Sequence, residues 1–259
     1  MLGSAPSGVY AVPAKLFALS FGIGTAATSL MFPAFAELEG AAAFERQRRL
    51  LMAGLRGGMA LMLLLALPLL LIPDLLIHAW IGAGFGRSYA VMAILAGVLL
   101  VHQPIYVLTQ FLIARALQRE VAFVSIATTL ANVALSFVLA WAWGIWGVAF
   151  STLVTDLVAL AWIVPRYAAP AAGTSSRALL GALVRPAVPA LVVAGAVLVA
   201  LARSWHPGTL LALAPLGALW AVAAAAAMLA FGLTAEQRAA LWNELTRRRG
   251  AAGVAVELA

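Results

Sequence analysis

The stretch YAVMAILAGVLLVHQPIYVLTQFLIA, Tyr89–Ala114, decides the fold because it contains no Asp, Glu, Lys or Arg anywhere along its length. A helix needs about 20 consecutive, mostly apolar residues to cross the hydrocarbon core of a bilayer. Tyr89–Ala114 meets that requirement, and comparable stretches lie on both sides of it. The predicted spans, in chain order, are Val9–Phe35, Met59–Trp80, Tyr89–Ala114, Val121–Trp143, Val148–Val164, Ala187–Ala202 and Leu210–Phe231.

The composition of the 259 residues agrees with this pattern: 65% are hydrophobic, 10% are charged, and the mean hydropathy is +1.05. A soluble domain carries about 25% charged residues, so this chain could not cover a water-facing surface. Cysteine is absent, which excludes disulfides, a thiol nucleophile and a Cys-based metal site. The short connections between spans predict one all-α, polytopic transmembrane helix bundle of about seven spans.

The basic residues indicate how the bundle is oriented. Thirteen of them follow the first, third, fifth and seventh spans, whereas only Arg87 and Arg203 lie in the alternate loops. The thirteen are Arg46, Arg48, Arg49, Arg56, Arg115, Arg119, Arg166, Arg177, Arg185, Arg238, Arg247, Arg248 and Arg249. Because cytoplasmic loops retain positive charge, we expect the N-terminus outside and the C-terminus in the cytoplasm. The net charge of +7 then points to lipid headgroups and not to nucleic acid.

Two segments outside the spans have an amphipathic pattern. In the segment after the first span, Phe44, Leu51 and Leu55 share one helical face, which predicts a helix lying on the cytoplasmic surface. Residues 233–259 combine an apolar stripe with a basic cluster, which predicts an interfacial amphipathic tail, with a frayed basic tail as the alternative.

Three polar side chains fall near the middle of successive spans: His102, Asn132 and Asp156. Ionisable groups at that depth are costly and are functional candidates by default, and transporters commonly place their sites there. Asp156 either takes up a coupling proton or sodium ion, or contacts the substrate, or is a protonated, hydrogen-bonded packing residue. His102 and Asn132 leave the same choice between a polar cavity and hydrogen bonding between helices.

Lys15 is the single basic residue inside a predicted span. It either extends its ammonium group to the outer surface or faces a cavity and binds an anion such as a lipid phosphate. The sequence contains no HExxH motif, no nucleophile elbow and no paired carboxylates. We therefore predict no enzyme activity, no metal site and no cofactor.

Four segments carry a family resemblance: GVYAVPAKL at 8–16, FPAFAELEG at 32–40, LIHAWIGAGFGRSYAVMAILA at 76–96 and ANVALSFVLAWAWGIWGVAFSTLV at 131–154. In this order they resemble the polysaccharide-lipid flippases, known as O-antigen and related lipopolysaccharide exporters, which belong to the superfamily of the MATE drug exporters. Asn132, Gly144, Gly147 and Thr152 stand at matching positions. The resemblance extends over roughly residues 8–170.

The resemblance implies a two-lobed transporter that moves polyprenyl-diphosphate-linked oligosaccharide across the bacterial inner membrane by alternating access. Lys15 matches a position that is often basic in the family, so it would hold the diphosphate. Asn132 and Gln110 would offer hydrogen bonds to the sugar or the headgroup. A coupling role for Asp156, with His102, does not come from the family pattern and rests on the depth argument.

Only one lobe has a counterpart in this chain. Residues 1–165 resemble a second-lobe core of five transmembrane helices, 166–232 would add two C-terminal helices, and 233–259 form the tail. We therefore expect a fragment, a chain that pairs with a separate N-terminal half, or a homodimer. Two alternative functions stay open at this point: a non-transporting membrane scaffold of a glycan-assembly complex, and a MATE-like drug exporter fragment.

Overall fold

The computed structural model describes residues 4–82, 84–189, 192, 195–204 and 210–227, and this part of the chain contains helices and no strand. The predicted all-α class is thereby confirmed for these residues. Five helical segments are long and apolar enough to cross a membrane, and they correspond to the first five predicted spans. The five are Val9–Gly40, Phe44–Leu71, Gly86–Ala114, Gln118–Trp143 and Ile145–Ala171.

The described helices follow one another with short connections. They are α1 (Ser4–Ser29), α2 (Met31–Gly40), α3 (Phe44–Leu71), α4 (Pro73–Ile81), α5 (Gly86–Ala114), α6 (Gln118–Trp143), α7 (Ile145–Ile163), α8 (Ala169–Ala171), α9 (Ser176–Pro189), α10 (Gly195–Ser204) and α11 (Leu210–Ala227). A π-helical turn, Val164–Ala168, joins α7 to α8. Because α1 and α2 are separated by Leu30 alone, they form one span together.

The second span differs from its prediction at both ends. Helix α3 begins at Phe44 and ends at Leu71, whereas the sequence predicted Met59–Trp80. The predicted surface helix is the first part of α3, and its residues Leu51 and Leu55 are fully buried in the core. The helix ends at Leu71 because a residue that precedes proline avoids the α conformation, and Ile72 before Pro73 has φ −133° and ψ 43°.

Helix α5 lies at the centre of the bundle, where it packs against α1, α3 and α7. Of the most apolar 18-residue window in each helix, 56% is buried in α5 but only 11% in α6. Helix α6 packs mainly against α7, after a turn at Gly144 whose φ is +61°. At Gly147 the backbone oxygen of Leu139 occupies the space that a Cβ would take. The two helices therefore approach each other as closely as glycine allows.

The C-terminal part of the chain is described in pieces. The predicted sixth span, Ala187–Ala202, is divided between α9 and α10, and residues 190, 191, 193 and 194 lie outside the described residues. The seventh corresponds to α11, with 228–231 outside. Neither is long enough within the described residues to count as a span. The tail at 233–259 also lies outside, and the orientation of the termini stays a prediction.

Candidate functional site

His102 and Asp156 are brought together by α5 and α7. The His102 Nδ1 and Asp156 Oδ2 atoms lie 2.9 Å apart, with side-chain exposures of 36% and 16%. Because both side chains are partly exposed, the pair can be reached from outside the bundle. The His102 ring also meets the edge of Phe21 on α1, with ring centroids 5.1 Å apart. The sequence predicted that both residues lie at the same depth, and the structure adds that they are hydrogen-bonded partners.

Asn132 connects α6 to α7 through hydrogen bonds. Its Nδ2 donates to Thr155 Oγ1 at 2.9 Å and to Thr152 Oγ1 at 3.3 Å. One turn further along α6, the hydroxyls of Ser136 and Ser151 lie 2.6 Å apart. The sequence placed Asn132 either in a polar cavity or in hydrogen bonds between helices. This geometry favours hydrogen bonding between helices for the amide nitrogen. The side chain is only half buried, so its amide oxygen stays open to another donor.

Four residues on α6, α7 and α5 form two hydrogen-bonded pairs, and we call them together the polar track: Asn132, Thr152, Asp156 and His102. Asn132 bonds to Thr152, and Asp156 bonds to His102. Thr152 and Asp156 are four residues apart on α7 and therefore share a helical face. The two pairs therefore lie on neighbouring turns of α7, where they can present several polar atoms to one ligand.

Lys15 does not reach the polar track. It lies on the exposed face of α1 and forms no ion pair with any described residue. Phe21, which contacts His102, follows six residues later, about 9 Å along the helix axis and about 120° around it. Lys15 therefore lies at a different height along α1 from the residue that contacts the track. It shares an exposed face of α1 with Leu19 and Gly22. The structure leaves both predicted roles of Lys15 open.

Gln110 is also apart from the track. It follows His102 by eight residues on α5, which places it about 12 Å closer to the C-terminal end of that helix. The side chain is half buried and forms no hydrogen bond with a described residue. The structure therefore does not bring Gln110 and Asn132 into one binding site.

Gln103 is a polar residue that the sequence analysis did not single out. Its buried side chain lies between α1, α3 and α5, and Nε2 donates weakly to Thr28 Oγ1 at 3.3 Å and to the Gly24 carbonyl at 3.4 Å. Its Oε1 is buried without a hydrogen-bond partner. Gly24 and Gly58 leave the space that the amide fills. The spacing of Ser20, Gly24 and Thr28, small residues on one face of α1, is the signal that could have indicated this close approach.

No three His, Asp or Glu side chains come together as a metal site in the part of the chain that the structure describes. Of the four residues of the polar track, only Asp156 carries a carboxylate. Any cation held there would need further ligands from a partner or from solvent.

No protein-family model matches the chain, and no curated protein or solved structure is significantly similar to it. The flippase resemblance therefore rests on the four sequence segments alone.

Proposed function

We propose that the chain is one lobe of a transporter of the bacterial inner membrane, which moves a polyprenyl-diphosphate-linked oligosaccharide by alternating access. The observation that carries this proposal is the His102–Asp156 pair, a hydrogen-bonded ionisable pair midway along two helices apolar enough to span a membrane. A charged residue at that depth costs about 2.5–3.5 kcal/mol on insertion scales. Membrane proteins that keep such groups generally use them to move ions or substrates.

The substrate class rests on the sequence resemblance and on Lys15. An ammonium group on the exposed face of α1 suits a diphosphate as a point charge. It also needs an aqueous or polar surrounding, because lipid alone does not solvate it. A second lobe, contributed by a separate chain or by a second copy, would close a cavity over this face and over the polar track.

Cysteine accessibility tests whether the polar track lines a cavity. The chain has no cysteine, so single replacements His102→Cys, Asn132→Cys and Asp156→Cys can be labelled in native membranes without further changes. A membrane-impermeant maleimide reacts only where water reaches the thiol. We expect labelling at these positions and none for Leu130→Cys, an exposed apolar position on α6 that would face lipid.

The second candidate is the membrane scaffold, which the Asn132 bonds to Thr152 and Thr155 favour. A scaffold predicts that the track positions react no faster than Leu130→Cys. An assay of substrate movement then distinguishes a transporter from a bundle that is filled with water but does not transport. In proteoliposomes with a fluorescent polyprenyl-diphosphate glycan, Lys15→Ala should abolish translocation, whereas Arg87→Ala in the first turn of α5 should not.

A further inference from the structure

A cavity of about 260 Å³ lies at one end of the bundle, apart from the polar track. It is enclosed by the first turns of α3, the last residues of α5 and the turn at 170–173. Phe44 and Phe111 contribute apolar side chains to its lining, and the polar lining consists of Arg48, Arg115, Gln47 and Glu45. The two arginines beside apolar side chains suit an amphiphile with an anionic group, which would replace the Glu45 carboxylate as the partner of Arg48.

Arg115 is held in place by an ion pair with Glu39, which does not line the cavity. Its Nη1 donates to Glu39 Oε2 at 2.7 Å, and Gln47 Nε2 donates to the same oxygen at 3.1 Å. Gln47 is itself buried and also donates to the carbonyl of Phe35. The Arg115 guanidinium carbon lies 4.8 Å from the centroid of the Phe44 ring. Since a guanidinium has five N–H donors, Arg115 keeps donors for a ligand after this pairing.

Arg48 has weaker partners and is free to exchange them. Its Nη2 donates to Glu45 Oε2 at 2.7 Å, but the Glu45 side chain is 73% exposed. An ion pair so open to water contributes little to stability. The Arg48 Nη1 bond to the carbonyl of Gly173 is long, at 3.4 Å. An anion in the cavity would therefore compete well for Arg48.

The start of α3 adds to the positive potential of the cavity. Ala43, the residue before the helix, provides no side-chain cap, so the first backbone N–H groups of α3 have no partner there. The positive end of the helix dipole favours an anion at this place, where the carboxylate of Glu45 lies in the first turn of α3. The cavity also lies where two apolar spans end, at α3 residue Phe44 and α5 residue Ala114, and the ends of membrane-spanning helices meet the headgroup region.

We propose that this cavity binds the phosphate group of an anionic membrane lipid. Arg48 and Arg115 donate to the phosphate oxygens, and the glycerol backbone and first methylenes contact Phe44, which is exposed. The lipid would join α3, α5 and the segment after the π-helical turn at one end of the bundle. This inference requires that the chain lies in a membrane, but it does not depend on the transport function proposed above.

The test compares Arg48→Gln with Arg49→Gln in the delipidated full chain in detergent. Arg49 is exposed on α3 beside Arg48 and does not line the cavity, so it controls for the loss of one positive charge. Phosphatidylglycerol is titrated and bound lipid is counted by native mass spectrometry. We expect Arg48→Gln to raise the dissociation constant about tenfold or more, because charge-assisted hydrogen bonds to the phosphate are lost. Arg49→Gln should change it less than about threefold, as expected for screened surface charge.

Two further outcomes would overturn the proposal. If both variants weaken binding equally, the lipid is attracted by the general charge of this surface and no specific site exists. If inorganic phosphate at millimolar concentration displaces phosphatidylglycerol fully, the cavity is a site for a free anion and not for a lipid. Phosphatidylcholine, whose phosphate is neutralised by its own choline, should bind more weakly than phosphatidylglycerol to the unsubstituted chain.

Discussion

The indole nitrogen of Trp220 donates a hydrogen bond to the carbonyl oxygen of Leu64, at 3.0 Å. Leu64 lies four residues before Pro68 in α3, and a proline has no N–H with which to bond that carbonyl within the helix. The buried Trp220 on α11 therefore satisfies a backbone group that the sequence of α3 leaves unpaired. Because an unpaired carbonyl is costly in an apolar surrounding, this bond helps to hold α11 against α3.

Trp220→Phe should destabilise the fold by about 1 kcal/mol through the lost hydrogen bond, with a further contribution from the smaller ring. Pro68→Ala restores an N–H at position 68, which can bond Leu64 inside α3. In that background we expect Trp220→Phe to cost about 0.5–1 kcal/mol less, as for residues that are energetically coupled. Reversible unfolding in mixed micelles, measured for both single variants and the double variant, gives the coupling energy.

Trp141→Phe is the matched control for this cycle. Trp141 is 92% exposed at the end of α6, so the same substitution there should change stability by less than about 0.5 kcal/mol. An equal cost of Trp220→Phe with and without Pro68 would show that the indole contributes packing alone.

The same arrangement occurs at the other end of the chain. Pro13 in α1 leaves the carbonyl of Val9 without its helical partner, and the buried Ser88 Oγ on α5 donates to that carbonyl at 2.8 Å. We expect Ser88→Ala to cost about 1 kcal/mol in the same unfolding measurement, and clearly less when Pro13→Ala is also present. Ser29→Ala, where the exposed hydroxyl bonds only within its own helix, should be nearly neutral.

The sequence predicted the spans better than their ends. Tyr89–Ala114 was expected to end at Ala114, and α5 ends there, because charge and polarity begin at Arg115. The start of α3 could not be predicted in the same way. Four arginines between 46 and 56 resemble a surface segment, and only the tertiary structure, in which Leu51 belongs to the same buried cluster as Phe35 and Phe111, shows that one face is buried.

The candidate site was predictable in depth but not in geometry. The positions of His102 and Asp156 along their spans indicated that both residues lie at the same depth. Their contact, however, depends on how α5 and α7 are rotated about their axes, which one sequence does not specify. Gln103 illustrates the converse. A glutamine beside a proline carries no signal of burial by itself, and its surroundings depend on Gly24 and Gly58 from two other helices.

Gly147→Ala should separate α6 from α7. A Cβ at this position would collide with the backbone oxygen of Leu139, which cannot rotate away as a side chain could. We expect a loss of about 1–3 kcal/mol in the free energy of unfolding, as for overpacked interfaces. Gly57→Ala is the control, because a Cβ there meets no atom within 4 Å. Inside α3 that substitution should stabilise the fold by about 0.5–1 kcal/mol, and a loss for both variants would contradict the close approach at Gly147.

Asp156→Asn removes the ionisable carboxyl group from the polar track but keeps an oxygen that can accept the hydrogen bond from His102. The amide oxygen can still accept a hydrogen bond from a protonated His102 Nδ1, which lies 2.9 Å from the carboxylate oxygen, so we expect the fold to be retained. The amide takes up no proton, and movement of protons with the substrate should therefore be lost. A pH-sensitive dye inside proteoliposomes that contain the transporting assembly measures this movement. Glu37→Gln, the same chemical change at an exposed position on α2, should leave it intact. If Asp156→Asn still moves protons with the substrate, the His102–Asp156 pair serves packing and the coupling group lies elsewhere.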